Sequence, residues 1–362
     1  MSGSTPKIRI LTLDGGGVRG LSSLLILREV VERLQHKRAS STDVPSMPLR
    51  PCDVFDLIVG TGTGGISALF LGRLHMTVDQ AIEEYLRMAR TVFKSPSLPG
   101  RGLHQGSGTV FDGKALADCL HGTVAQYLHD PDARLFETID PRCRVAVLAA
   151  TSAYADSSPY VFRTDLATPS FRIIDAALAT SAMAGLLPAV SLGRPPIEFI
   201  DAGITGYNNP AEVALFQAHG IWPTRDTIIL SLGTGTQKIV DTTGGNHWRQ
   251  LAQLSQKLIE SCEHVHDNLI RSQHPLSYFR FSVDRGLEEV GVEEWKEAGD
   301  NGRLAGITSA YLRKAEIDRH LNYCVQVVNG GGHAPGEWNL DFDLSLVDQS
   351  IRSTGNFQWP GS

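Results

Sequence analysis

The chain has 362 residues, 42% of them hydrophobic, enough to bury a sizeable core as one large domain or as a domain with an appendage. Its formal charge of −6 supplies no basic field for neutralising phosphates, so DNA and RNA are excluded as expected partners. Five cysteines (Cys52, Cys119, Cys143, Cys262 and Cys324), an odd number without CxxC or Cys/His spacing, point to a reducing, cytoplasmic setting and no metal.

The first apolar run, Ile8 to Leu13, is too short and wrongly flanked for a signal peptide. Nothing reaches the roughly 18 apolar residues of a membrane span, so any membrane contact is expected to be peripheral. Lys7 to Leu13 reads as a buried strand that stops at Asp14-Gly-Gly-Gly and gives way to a helix from Leu21 to Leu34. Ala39 to Arg50 is a Ser/Pro-rich loop. A second buried strand, Val54 to Val59, leads into Gly60-Thr-Gly-Thr-Gly-Gly and a helix from Ile66 to about His75.

Thr77 to Phe93 is helical, and Lys94 to Gly108, with Pro96 and Pro99, reads as a flap that opens toward a lipid surface. Phe111 to Leu128 and Ile173 to Ala184 are expected helices; Arg144 to Thr151 and Tyr160 to Arg163 are expected strands. A short strand, Glu198 to Ile200, ends at Asp201-Ala-Gly. Pro210 to His219 is helical, and the apolar strand Thr227 to Leu232 again ends in a glycine turn. Beyond Asn246 the pattern is helical, over Leu251 to Ile270 and Ser309 to Leu321, and Val327 to Ser362 is Gly-rich and irregular. The alternation is that of an α/β protein with a largely parallel sheet, whose glycine-rich loops share one edge, where open sheets of this kind carry their sites. Residues 1–240 form the main domain; 241–362 read as a helical and irregular extension packed on it, with a link to further domains of a longer parent protein.

Gly15, Gly17 and Gly20 satisfy GxGxxG, the dinucleotide fingerprint, yet a Pro/Ser loop stands where that motif wants a second strand with an acidic end. A turn needed only for backbone geometry is the plain alternative. A third reading is chemical: amides of successive glycines at a helix start, with Arg19 adding positive potential, converge on a negative oxygen as an oxyanion hole requires.

The strand, glycine turn and helix around Gly60 and Gly64 have the frame of a nucleophile elbow, GxSxG, but the middle residue is Gly62. Glycine tolerates the elbow's backbone and provides no hydroxyl. Thr61 and Thr63 flank an apex that points only its own side chain into the site, and Ser67 lies more than a turn along the helix. Asp201, at a strand end, is a turn or capping residue in isolation and a general base if a hydroxyl faces it. His264 and His266 read as surface or packing residues, and no HExxH, Walker lysine or EF-hand pattern implies a metal or nucleotide cofactor.

Asp14-Gly-Gly-Gly-Val-Arg-Gly, then Gly60-Thr-x-Thr-Gly64, then Asp201-x-Gly203, in this order, resembles the patatin-like phospholipase family over about Lys7 to Gly235. Ala179-Thr-Ser-Ala-Met, leading to Pro188, and Asn208-Asn-Pro support it. The resemblance implies a three-layer α/β/α fold and a Ser-Asp dyad without histidine that cleaves acyl esters of lipids. It implies the nucleophile position at Gly62, the base at Asp201 and the oxyanion hole at Gly15, Gly16 and Gly17. The chain departs from the family at Gly62 and, mildly, at Ala202. As written it is expected to hydrolyse esters poorly or not at all. Either the nucleophile was removed from an active enzyme, or the chain is a natural pseudoenzyme kept as a lipid-binding or scaffolding module; intact Asp201 and loop fit the first better. Acyl transfer by the same dyad is the remaining alternative.

Overall fold

Ile8–Leu13 forms the first strand, β1, with Ile8 and Ile10 buried on one face and Leu11 and Leu13 on the other. A strand apolar on both faces must be covered on both. The computed structural model describes residues 6–39, 47–94, 109–138, 141–167, 169–236, 262–271 and 277–330. The further strands are β2 (Leu57–Thr61), β3 (Arg144–Thr151), β4 (Tyr160–Arg163), β5 (Val190–Leu192), β6 (Ile197–Asp201), β7 (Thr227–Leu232) and β8 (Ser277–Phe281). They make one eight-stranded sheet in the order β5-β6-β3-β2-β1-β7-β8, with β4 also paired to β3. The run from β3 to β8 is parallel; β4, β5 and β6 pair antiparallel. This is the expected α/β class, with a mostly parallel mixed sheet.

One face is covered by α1 (Gly20–Ala39), α2 (Thr63–Ala68), α3 (Val78–Phe93), α4 (Gly113–Leu128) and α5 (Ile173–Thr180). Helix α1 is buried from Gly20 to Leu27 and then only along Val30, Val31 and Leu34, so its first two turns run through the core before one face emerges. Helix α6 (Ala211–Ile221) covers the other face, where Ala214 and Ala218 let it approach Ile8, Ile10 and Val59. Thr77 caps α3 by accepting the Gln80 amide, with the Gln80 side chain reaching back to the Thr77 amide.

Several boundaries differ from the sequence pattern. After α2 the chain takes a π turn over Leu69–Arg73, so the helix expected to about His75 is not one regular α-helix. Helix α5 stops at Thr180, and the residues after it turn away to line the cleft described below. Of the expected helix Leu251 to Ile270, only α7 (Glu263–Arg271) lies among the described residues. The C-terminal stretch then gives α8 (Trp295–Ala298), α9 (Arg303–Leu312) and α10 (Ala315–Val328), the last two separated at Arg313 and Lys314. It also supplies β8, a strand that its helical pattern does not announce. The expected flap, apart from Lys94, and the tail beyond Gly330 lie outside the described residues.

Asp165 locks the bottom of β3 to the end of β4. Its carboxylate accepts from Arg163 at 2.6 Å and Arg144 at 3.1 Å, and the Arg144 guanidinium lies 4.8 Å from the centre of the Trp222 ring. Burial raises the Asp165 carboxyl, but bonding to Arg163 and the charge of Arg144 outweigh it and hold the group below its ordinary value. A depressed folded-state value stabilises the fold fully above the unfolded value, about 3.9, and the contribution fades as pH falls through the lower folded value. Asp165→Asn is therefore expected to cost about 1.5–3 kcal/mol at neutral pH in urea unfolding. The gap should shrink below about pH 4; one that holds unchanged to about pH 3 contradicts the clamp.

Candidate active site

Strand β2 runs into Gly62, whose φ of 58° and ψ of −130° turn the chain so sharply that α2 starts at the next residue. The turn is pinned from below. The Gly62 amide donates to the Thr180 hydroxyl at 2.8 Å, and that hydroxyl donates to the Leu148 carbonyl at 2.6 Å. Neighbouring hydroxyls point elsewhere: Thr61 donates to the Tyr207 carbonyl at 2.8 Å, Thr63 to the Gly17 carbonyl at 3.2 Å, and Ser67 back to the Thr63 carbonyl at 3.1 Å. A Cβ placed on Gly62 would stand 3.1 Å from Asp201 Oδ2, 3.5 Å from its Oδ1 and 3.5 Å from the Gly15 Cα. Any side chain at position 62 thus projects between the carboxylate and the glycine loop.

Asp201 reaches this point by an unexpected route. Strand β3 overshoots the end of β2, and β6 pairs antiparallel with the overhang, placing Asp201 opposite Ala149. The strand that carries Asp201 therefore comes down to the sheet's carboxyl edge from beyond it. The loops after β1, β2 and β7 lie on that edge through parallel pairing, as their sequence suggests. Asp201 is 9% exposed; its Oδ1 accepts the Gly203 amide at 2.7 Å, and its own amide donates to the Ala182 carbonyl at 3.0 Å.

The glycine loop is held on every side. The Gly15 amide donates to the Asn208 carbonyl at 3.2 Å, and the Gly15 carbonyl accepts from the Thr234 hydroxyl at 2.8 Å. The Val18 amide donates to the Val292 carbonyl at 2.8 Å, and the Tyr85 hydroxyl donates to the Gly17 carbonyl. Burial pushes the Tyr85 phenol up, so it stays protonated and donating. Gly17 has a φ of +57°, and a Cβ there would collide with the Val292 carbonyl oxygen at 2.1 Å.

Behind the loop, Asp14 and Arg280 form an ion pair at 2.7 Å with side chains 0% and 5% exposed, and Arg280 also donates to the Ser231 hydroxyl at 2.9 Å. Burial pushes the Asp14 carboxyl up against the pull of Arg280, whose guanidinium remains charged beside it. Thr180, Asn208, Thr234, Arg280 and Val292 are the positioning residues that sequence reasoning does not assign. Thr180 and Asn208 fall in stretches that carry the family resemblance. Arg280 sits in an alternating strand with no local sign that it reaches Asp14.

Gly15, Gly16, Gly17, Arg19 and Asp201 all line one cleft of about 640 Å³, part of it open to solvent. Its other walls are largely apolar: Phe93, Met183, Leu186, Leu187, Ile204 and Val292. Phe93 meets Phe111 edge-on at 5.0 Å. His264 and His266 lie away from the cleft, His266 bonding the Tyr278 hydroxyl at 3.3 Å. Among the described residues no group of His, Cys, Asp and Glu could hold a metal ion.

Fold and site together define an α/β protein built on a strand, a sharp elbow and a helix, with a carboxylate and a glycine loop facing the elbow's apex. The chain belongs to the patatin-like phospholipase family, whose model matches residues 11–215. It is 30% identical over 294 residues to calcium-independent phospholipase A2-gamma of Mus musculus, covering 76% of this chain and 35% of that protein. The protein of the same name from Oryctolagus cuniculus is 28% identical over 326 residues, covering 85% of this chain and 38% of its own length. The cGAMP-activated phospholipase of Vibrio cholerae is 29% identical over 248 residues, 63% of this chain and 64% of that protein. This chain therefore spans little more than a third of its calcium-independent relatives.

Proposed function

We propose that the chain is a lipid acyl hydrolase framework in which Gly62 stands at the nucleophile's place and Asp201 is the base, so that it binds acyl esters and does not turn them over. The observation that carries this is the direction of the missing side chain: from Gly62 it would point at the Asp201 carboxylate, 3.1 Å from the Cβ position. A serine hydroxyl there would have a proton acceptor at hand, which is what makes a hydroxyl nucleophilic.

With that hydroxyl present, Asp201 takes its proton as the oxygen attacks the acyl carbonyl. The oxyanion that forms lies toward the glycine loop. Because the Gly15 amide is committed to Asn208, we assign the donors to the amides of Gly16 and Gly17, with Gly15 fixing the loop and Arg19 adding positive potential. Asp201 then returns the proton to the leaving alcohol and activates water to release the fatty acid. The apolar walls suit an acyl chain, and the relatives' names make a phospholipid the first substrate to try, reached by peripheral contact with a membrane surface. No helix among the described residues is long and apolar enough to cross a membrane.

The test compares this chain with Gly62→Ser on a phospholipid panel and a short-chain p-nitrophenyl ester. Fatty acid release is expected from the variant and only background from the parent. A folded Gly62→Ser protein silent on every ester, yet binding intact lipid, would instead make the chain a lipid-binding module. Adding an alcohol acceptor to the active variant separates hydrolysis from acyl transfer.

A further inference from the structure

A second space, of about 470 Å³ with part of it open to solvent, lies against the cleft that Asp201 lines. Ser181 and Leu187 line both spaces. Ser181 is fixed: it is buried, and its hydroxyl donates to the Ala177 carbonyl at 2.7 Å. Leu187 is carried on a turn in which the amides of Leu186 and Leu187 both donate to the Met183 carbonyl, at 3.0 and 2.9 Å. The backbone of the partition is thus held, and what it presents to both cavities at position 187 is a rotatable aliphatic side chain, 8% exposed.

The second cavity is carbon-walled by Leu116, Leu178, Leu187, Pro188 and Val190. Its charged residues, Asp112 and Lys114, are exposed, and Asp112 is engaged in capping α4, accepting the Lys114 amide at 2.8 Å. An apolar space with a few polar groups at its margin, sharing the wall formed by Ser181 and Leu187 with the cleft, suits the far end of a chain whose head lies at Asp201.

We propose that Leu187 is a chain-length gate and that the cavity beyond it is a subsite for the distal methylenes of a long acyl chain. The proposal rests on the acyl-ester reading of the cleft and deepens it. Packing around Leu187 divides acyl chains into those that end within the cleft and those that must displace the side chain to run on.

Because the unmodified chain carries no hydroxyl at position 62, the gate can be measured as binding, without turnover. Saturated fatty acids of about eight to about eighteen carbons, titrated by calorimetry, are expected to bind about fourfold tighter per added methylene until the accessible space is full, and then no tighter. Leu187→Ala moves that break to longer chains, and Leu187→Trp moves it to shorter ones. Val190→Trp, which fills part of the second space, returns the break of Leu187→Ala toward that of the parent. Thermal melts establish that each variant is folded, and if Leu187→Ala does not fold, the shortening by Leu187→Trp decides. A break that stays put in the folded variants overturns the gate, as does failure of the parent to bind any of the acids. Failure of Gly62→Ser to cleave esters would remove the catalytic reading while leaving the break, and its dependence on residue 187, intact.

Discussion

Gly62→Ser is expected to raise ester cleavage by up to about a millionfold, the order lost when a serine protease is stripped of its nucleophile. The same substitution is expected to make the protein less stable. At a φ of 58° and a ψ of −130° a residue with a Cβ is strained, typically by about 1–3 kcal/mol, and the added carbon sits 3.1 Å from Asp201 Oδ2, close enough that the carboxylate must give a little. Activity and stability should therefore move in opposite directions, a combination that a merely better-packed variant would not show. Adding Asp201→Asn to Gly62→Ser should remove about 10²–10⁴-fold of the gained rate, because the amide cannot take the proton. Asparagine keeps an oxygen able to accept the Gly203 amide, so the 2.7 Å bond that shapes the loop after β6 survives and the double variant should fold. Initial rates on a p-nitrophenyl ester, read with urea midpoints for all three proteins, check the set. Full activity in the double variant would remove Asp201 from the chemistry; a Gly62→Ser protein as stable as its parent would remove the strain.

The candidate site was legible to the extent that its turns are written in contiguous residues. The glycine run after β1, the elbow around Gly62 and the acidic end of β6 each announce themselves locally, because each must make a sharp turn and glycine marks it. Which residues hold those turns was not legible, since the holding is done across the sheet. Thr180 supports Gly62 from α5, the Asn208 carbonyl supports Gly15 from the loop after β6, and Val292 and Thr234 reach the loop from beyond residue 215. The antiparallel approach of β6 was equally hidden. Alternation and length identify a strand, but only the overhang of β3 past β2 makes room for one running the other way. In the C-terminal stretch Ser277–Phe281 is short and flanked by helical patterns, yet it closes the parallel side of the sheet on β7 and carries Arg280 to the glycine loop. The stretch beyond the family match is thus part of the framework that holds the glycine loop.

That dependence predicts a large stability effect. Arg280→Met should cost about 3–5 kcal/mol of unfolding free energy, because it leaves the Asp14 carboxylate buried without its partner. Both side chains are almost fully enclosed, so water cannot take over the pairing. Removing both charges together, with Asp14→Leu and Arg280→Met, should recover much of the loss, since burying two apolar groups of similar size avoids the desolvation that the ion pair must offset. Urea unfolding of the two single variants and the double variant measures the coupling directly. Additive costs would mean that the pair acts as two independent side chains. Strong coupling would mean that the start of the glycine loop is anchored electrostatically from β8, and the Gly62→Ser form would then lose turnover on Arg280→Met before it loses its fold, because the amides proposed to face the oxyanion begin two residues beyond Asp14.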